Sequence, residues 1–574
     1  MYLYTVSLIL EFAPVGDIVY FSKYLFEIGN VIEVDFGNRK VLGLILKKEN
    51  LENQKGNLRN SSFALKKINE SKIVFNIENY FLEKIEKFAK ENSVFVGEVI
   101  YKIKNYLNFT NIEKNSNKIE ITVIDDQQIK IFENIESLDL IIFADDLSLS
   151  VFKQNYDYKK YKNKIYKLYD FIKSFSFQEN PQLKKVVILD FNFNNYSTHQ
   201  KPFLNNLKIF FLILEIINFQ GKLFLQTNYL AVNEKYFLEQ NFSKINYKKN
   251  ENKISKKIVK DKINNQNLKS ELISPIIFEK IIGNLKENKS SFLFILQHGF
   301  AKRLYCEDCN FAVSCQNCKK EIGLIVEENE RVLFCNYCEF RKKIKEEKNL
   351  RCENCGGFRI FDFGAGIQKI ANYLNENLEE KWKNKVVFID ENYRKKSDKK
   401  IIEEVKNAIY NKKILIGSIK NLKAIYDKVD TTFIISFGIL LNQKNFSFDE
   451  KVAEIFYQIE SKSNEIYIQQ NKEDEELWLS LKNKEEFVNE ELKSRKIAKL
   501  PPFTKVVNIA CGYRFIKQVK KLVENLEVSN FIYENRKINF YFFSLLDNPI
   551  INELKTIADV KVSNIIEKPS FWKK

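Results

Sequence analysis

Eight of the chain's nine cysteines fall between Cys306 and Cys355, in four pairs of one spacing: Cys306-x-x-Cys309, Cys315-x-x-Cys318, Cys335-x-x-Cys338 and Cys352-x-x-Cys355. A two-residue gap lets both thiolates of a pair turn onto one ion, and tetrahedral Zn2+ takes four sulfurs at ~2.3 Å. The pattern predicts two closed, structural zinc sites in an insertion over 306–358. A closed site keeps no position for an activated water, so no hydrolysis is expected from the metal. Disulfides, a dithiol switch and Fe–S clusters are the competing readings; four paired motifs are excessive for a switch, and clustering in a chain without an export signal favours metal. Cys511, outside the cluster, reads as a buried core thiol.

No export or membrane signal accompanies the cluster. Met1 to Leu10 lacks a basic stretch and a small-residue cleavage site. The longest apolar run, Thr431 to Leu441, is far short of the ~18 residues a span needs and reads as a buried strand. A soluble, cytoplasmic protein with no membrane partner is expected. With 574 residues, 45% hydrophobic and 29% charged, bulk disorder is excluded and several domains are expected.

Periodicity outlines an α/β multidomain chain. Residues 1–107 form a small β-rich unit, with two strands over Asn30–Leu46 joined through Gly37–Asn38 and helical periodicity over 78–107. Residues 108–241 alternate strands (Leu138–Phe143, Val186–Asp190, Lys222–Gln226) with helices such as Asn205–Asn218, the order of a parallel sheet. Residues 242–289, rich in lysine and asparagine, read as a basic linker, either a solvated face or a phosphate-contacting arm. A second alternating region, 290–305 and 359–499, carries strands at Val386–Asp390, Ile414–Gly417, Thr432–Ser436 and Glu465–Gln469. Residues 500–574, after Leu500-Pro-Pro-Phe503, make a small α/β C-terminal domain.

The 92 Lys+Arg against 75 Asp+Glu leave a formal charge of +17. Eight thiolates on two Zn2+ would bring it to about +13. A basic balance permits nucleic-acid binding, but Lys, Asn, Ile and Phe are abundant where Arg, Ala, Gly and Pro are scarce, a bias that A/T-rich codons also produce. Arg341, Lys342, Lys343, Lys345 and Lys348 crowd the loop between the third and fourth pairs, either offsetting the anionic zinc–sulfur centres or facing nucleic acid.

The succession Phe294-Ile-Leu-Gln-His-Gly-Phe-Ala301, four paired cysteines, then Phe363-Gly-Ala-Gly366 resembles the PriA family of replication-restart helicases. There an Asn-Arg-Arg-Gly-Tyr-Ala segment precedes a zinc insertion and Gly-x-Gly-Thr-Glu follows it. Here Gln297, His298, Gly299, Phe300 and Ala301 hold the first place and Gly364 to Gln368 the second, which makes His298 a positional relic. The resemblance implies interleaved ligation: Cys306, Cys309, Cys352 and Cys355 on one zinc, and Cys315, Cys318, Cys335 and Cys338 on the other. It also implies two RecA-like helicase lobes and, over Val6–Leu46, a 3′-DNA-end-binding domain. Asp35-Phe-Gly-Asn-Arg-Lys40 stands at that domain's basic turn, so Gly37, Arg39 and Lys40 become candidate DNA contacts. Leu65-Lys-Lys-Ile68 matches the segment contributing a pocket lysine, for which Lys66 is the candidate. The family's Phe-Asp pair appears as Ile18-Val19, with Asp17 one step off, and Glu491-Leu-Lys-Ser-Arg495 with Pro501-Pro-Phe503 resembles the run into the C-terminal domain.

Helicase lobes of this kind hydrolyse ATP, and their first lobe needs G-x-x-x-x-G-K-[ST] to wrap the phosphates. The chain has no glycine between Gly97 and Gly221, and the corresponding place reads Leu140-Ile-Ile-Phe-Ala-Asp-Asp-Leu-Ser-Leu-Ser150. Two aspartates there repel a phosphate. Val186-Val-Ile-Leu-Asp190 resembles the strand leading to Asp-Glu-x-His, but Phe191 replaces the carboxylate that orients the attacking water, leaving Asp190 vestigial and His199 a relic. Gln226-Thr-Asn-Tyr229 stands at Ser-Ala-Thr-Pro, and Gln458-Ile-Glu-Ser-Lys-Ser-Asn464 at the arginine-bearing motif. Losing all of these together removes most transition-state stabilisation for phosphoryl transfer. The lobes are therefore degenerate, without catalytic residues and without an ATP requirement.

The expected function is a DNA-binding replication-restart factor that recognises stalled, branched or single-stranded DNA and recruits other primosome or replisome proteins. An active ATP-dependent 3′-5′ helicase with an unrecognised nucleotide site, and a zinc-dependent structural adaptor without DNA affinity, are the alternatives.

Overall fold

A computed structural model of the chain describes residues 1–11, 17–50, 66–68, 72–92, 94–109, 119–124, 135–175, 183–192, 205–248, 255–259, 272–296, 299–301, 303–327, 330–335, 338, 340–344, 350–364, 366–390, 397–436, 448–469, 480–481, 483–512, 516–523, 528–534, 537–544 and 561–565. The chain is a multidomain α/β protein whose apolar clusters run between neighbouring sheets as well as within them.

The first sheet comprises β1 (Tyr2–Leu8), β2 (Ile18–Ser22), β3 (Asn30–Phe36), β4 (Arg39–Asn50), β5 (Lys66–Lys67) and β6 (Ile73–Asn76), in the order β5-β2-β1-β4-β3-β6. β3 and β4 pair from Val31↔Leu44 to Phe36↔Arg39, so Gly37 and Asn38 form a two-residue turn. Gly37 takes φ +61°, which a glycine adopts at the first turn position without steric cost. Buried Tyr20 on β2 donates from its hydroxyl to the Asp35 carbonyl on β3 at 2.9 Å, curling the sheet across β1 and β4. The expected helical periodicity over 78–107 resolves into helices Asn79–Glu91 and Val96–Ile103 and a 3-10 turn at Lys104–Phe109.

The second sheet, β7 (Glu120–Ile124), β8 (Leu140–Phe143), β9 (Ile165–Lys167), β10 (Lys185–Ile188), β11 (Lys222–Gln226) and β12 (Ile245–Lys248), is parallel in the order β12-β7-β11-β10-β8-β9. Strands buried on both faces read as apolar runs, and all four residues of β8 are buried. β8 is succeeded by β9 on one side, while β10 leads to β11 on the other. The crevice beyond their carboxyl ends, where open α/β sheets take ligands, therefore opens between Asp145 and Asp190.

The third sheet is parallel too: β13 (Ser255–Val259), β14 (Ser291–Ile295), β20 (Val386–Phe388), β21 (Ile414–Gly417), β22 (Val429–Ser436) and β23 (Ser463–Gln469), ordered β13-β23-β22-β14-β21-β20. The basic linker expected over 242–289 is corrected here. β12 extends the second sheet, β13 extends the third, and Pro275–Lys286 is a helix whose buried Ile277, Ile281 and Leu285 join the third sheet's core. Both lysine-bearing strands stand at the edge of their sheets.

Between β14 and the helix Ile367–Asn377 stands the cysteine insertion, with β15 (Arg303–Cys306) paired to β19 (Ile360–Phe363), and β16 (Gly323–Glu327), β17 (Glu330–Phe334) and β18 (Arg341–Ile344) forming a meander. Strands Lys505–Gly512, Val528–Glu534, Lys537–Ser544 and Lys561–Ile565 make a last antiparallel sheet. Cys511 sits in its first strand, its side chain outside the described residues, as are Gln297, His298, Ala365, His199, Lys345 and Lys348 altogether.

Candidate metal centres and the interlobe cleft

The cysteine pairs sit on near-identical loops. In each, the first cysteine's N–H bonds the carbonyl five residues on: Cys306 to Phe311 (3.0 Å), Cys315 to Lys320 (2.7 Å), Cys335 to Phe340 (3.0 Å) and Cys352 to Gly357 (2.8 Å). In three of them the residue after the second cysteine turns left-handed, at Asn310 (φ 55°), Lys319 (58°) and Gly356 (73°), and donates its N–H back to the first cysteine's carbonyl. That fold of the backbone points both sulfurs of a pair to one side.

The structure brings Cys306, Cys309, Cys352 and Cys355 into one group and Cys315, Cys318, Cys335 and Cys338 into another, the sulfurs of each lying within 4.8 Å of one another. The nearest sulfur–sulfur distances are 3.5 Å for Cys306–Cys355, Cys309–Cys352 and Cys318–Cys335, and 3.7 Å for Cys315–Cys338. A disulfide needs ~2.05 Å. Four sulfurs ~2.3 Å from a tetrahedral ion stand about 3.8 Å apart, so both groups fit a metal ion of zinc's size. The thiols of the outer group are shifted unequally: the Asn354 side chain and the Phe311 N–H lower Cys309 to about 7, while burial raises Cys306.

The insertion is pinned to the third sheet by the segments flanking it. Gln368 accepts from the Val326 N–H (2.8 Å) and donates to its carbonyl (3.2 Å), acting as a one-residue strand against β16. Gly366 lies so close to Gly299 that a Cβ would stand 2.2 Å from the Gly299 carbonyl oxygen. On the basic strand β18, Arg341 pairs with Glu327 at the end of β16 and Lys343 with Glu330 on the neighbouring β17.

In the crevice between the two parallel sheets, Asp145 caps the helix Asp146–Asn155, its carboxylate accepting from the Ser148 N–H at 2.7 Å. A helix N-terminus behind a parallel strand is where a nucleotide phosphate would bind, and here a carboxylate of the chain accepts from one of its amides, that of Ser148. Asp190, left-handed at φ 52°, accepts from the Ser148 hydroxyl at 3.1 Å and donates its N–H to Gln226 at 2.9 Å. Burial raises the Asp190 carboxyl, against the pull of Lys423 and Lys462. From the other lobe Lys423 reaches Asp145 at 3.5 Å. Lys462 donates to the carbonyls of Leu422 (3.0 Å), Lys423 (3.0 Å) and Ile425 (2.7 Å), a cation at the end of the helix Ile419–Ala424. Asp145, Asp398, Lys420 and Lys423 line a cavity of about 540 Å3 at this seam. Sequence reasoning flagged Asp145 and Asp190 but missed Lys423. It passed over Lys462 inside a segment read only as a lost motif.

On the N-terminal sheet the structure gathers two of the four predicted DNA contacts. Arg39 and Lys66 stand over the Phe36 ring, 5.9 Å and 5.4 Å from its centroid, while Lys40 pairs with Glu33 at 3.1 Å. Gly37 turns the chain between them, and a Cβ there would meet nothing within 4 Å.

The chain is similar to curated proteins named replication restart protein PriA. It is 27% identical to that of Borreliella burgdorferi over 269 residues, 45% of this chain and 39% of the relative. Against Rickettsia conorii it is 22% identical over 253 residues, 42% of this chain and 37% of the relative. Against Helicobacter pylori it is 23% identical over 241 residues, 41% and 37%. The match thus spans about two fifths of the relatives' length, and one name recurring across these bacteria makes the chain a relative of the PriA proteins. No protein-family model matches the chain. Among solved structures, yeast Dbp5 bound to RNA and ADP BeF3 aligns with 74% of this chain and 97% of that one at 10% identity, but its TM-score of 0.29 carries no argument.

Proposed function

We propose that this relative of the PriA replication-restart proteins is a DNA-binding restart factor that engages stalled or branched forks without hydrolysing ATP. In this reading the N-terminal sheet takes the DNA end through Gly37, Arg39, Lys40 and Lys66, two Zn2+ stiffen the insertion, and the parallel-sheet lobes are silent helicase lobes that present both. Other primosome or replisome proteins are its partners. The eight cysteines would hold the two ions, which supply cross-links and no open coordination position. What supports the absence of ATP chemistry is the Asp145 carboxylate on the Ser148 amide, in the place of a phosphate.

The test is a titration of forked DNA with the zinc-loaded chain, followed by anisotropy at several salt concentrations with and without MgATP. Tight binding that weakens as salt rises and ignores ATP is the expected result. Affinity no greater than that of an unstructured protein of equal charge would refute DNA recognition, and DNA-stimulated phosphate release that dies on Asp190→Ala would establish a working motor instead.

A further inference from the structure

We infer that the two parallel-sheet lobes are clasped into one rigid body by the chain itself, with Asp145 standing in for the nucleotide that would otherwise draw them together. This deepens the reading above, since it rests on the cleft being a nucleotide site that has lost its ligand. Three observations meet at the helix Asp146–Asn155. Its N-terminus is filled by Asp145, which also faces Lys423 of the opposite lobe at 3.5 Å. Its flank is buried in the other lobe: Leu147 and Val151 share one apolar cluster with Phe292, Phe294, Ile402 and Leu422. Its far end is tied as well. The Tyr156 hydroxyl lies 2.6 Å from that of Tyr426, Gln154 donates to the Lys399 carbonyl at 3.3 Å, and Lys406 donates to Asn155 at 3.0 Å.

A motor built on two lobes must open and close around its nucleotide, so the surface between lobes stays polar and wet. Here part of that surface is an apolar cluster, beside the cavity lined by Asp145 and Lys423 and the ion pair between them. A phosphate arriving at the helix N-terminus would have to displace a tethered carboxylate already on the Ser148 amide, and the Lys423 ammonium that would greet it is engaged. In this reading a nucleotide no longer moves the lobes.

Hydrogen–deuterium exchange of the full, zinc-loaded chain tests the clasp. Lys423→Glu places like charges across the seam, and exchange in 146–155 and 419–424 should quicken by roughly five- to tenfold, the scale of a partly exposed pair reversed to repulsion. Asp145→Asn keeps a good cap while removing its charge, so the double variant Asp145→Asn/Lys423→Glu should recover part of the parent rate, with Asp190 still facing the new carboxylate. MgATP and MgADP should leave exchange in both helices of the parent chain unchanged. Unaltered exchange in Lys423→Glu, a defect that the double variant does not relieve, or slowing of either helix by MgATP overturns the clasp. Fork-DNA affinity, measured on the same samples, reports separately on the restart reading. A chain that binds forks but shows an open seam loses the clasp and keeps that function.

Discussion

Arg495 donates from its guanidinium to the Glu450 carboxylate at 2.8 Å, with the two side chains only 1% and 11% exposed. Its Nε donates to Glu491, also at 2.8 Å, and the second Glu450 oxygen accepts from the Val232 N–H at 2.6 Å. One guanidinium thus joins the helix Lys484–Ile497 to Phe448–Ser461 of the third sheet and, through Glu450, to the start of Val232–Asn241 beside the second. Arg495→Ala leaves two buried carboxylates facing each other and should cost about 3–5 kcal/mol. Replacing arginine and glutamate together, as Arg495→Met/Glu450→Met, should cost less, since one carboxylate, Glu491, is then left without its cation instead of two. Urea unfolding followed by tryptophan fluorescence measures both, and a single variant no worse than the double would remove the network from the account of stability.

The segment Glu491–Arg495 stood out in the sequence, and Glu491 meets Arg495 within its own helix, but the second acid, Glu450, lies 45 residues away, and nothing local says which distant carboxylate a buried arginine will find. The same limit hid Lys423 while Asp145 was plain. Strands and helices were legible because their periods are local: Lys222–Gln226 and Ile414–Gly417 appear with the bounds their apolar runs suggest. Metal chemistry was legible for the same reason, since each Cys-x-x-Cys declares its own turn. The pairing of distant turns came from resemblance rather than spacing. In 242–289 lysine and asparagine content gave no period from which β12 and β13 could be read, because each is a short edge strand whose pairing is set by a sheet formed elsewhere in the chain.

Elemental analysis of chain purified without chelator should find two zinc ions. Cys315→Ser breaks the inner group and leaves Cys306, Cys309, Cys352 and Cys355 intact, so the count should fall to one while the insertion becomes protease-sensitive, metal binding and folding being coupled. Zero zinc in the parent chain would refute both sites. A fall from two to zero in the variant would show that the groups are not independent.

At the N-terminal sheet, Arg39→Ala and Lys66→Ala should each weaken fork binding and reduce the slope of log affinity against log salt by about 0.9 for each phosphate no longer neutralised. Lys40→Ala should do less, because Lys40 already pairs with Glu33. Anisotropy titrations over a salt series read both quantities. Equal weakening by all three would point to diffuse attraction rather than a cluster built on Phe36.

Lys462 makes the stability of the seam depend on pH in a direction opposite to most lysine pairs. Burial pushes it from its ordinary 10.5 down to about 8, with Asp190 pulling it partly back. Between those values the unfolded chain holds a proton that the native chain has released. Stability therefore rises with pH across the window, and the cost of burying the ammonium is present in full below pH 8. Lys462→Met titrates in neither state, so the parent chain should gain on it from pH 8 to 10.5 by about 2 kcal/mol. The three carbonyls that hold the ammonium keep this below the value of the whole shift. Below pH 8 the variant trades the buried charge for three unpaired carbonyls, a difference that does not change with pH. Melting curves of both proteins at half-unit steps decide the matter. Parallel curves through the window would mean that Lys462 titrates at its ordinary value and that the carbonyls of Leu422, Lys423 and Ile425 fully replace its water.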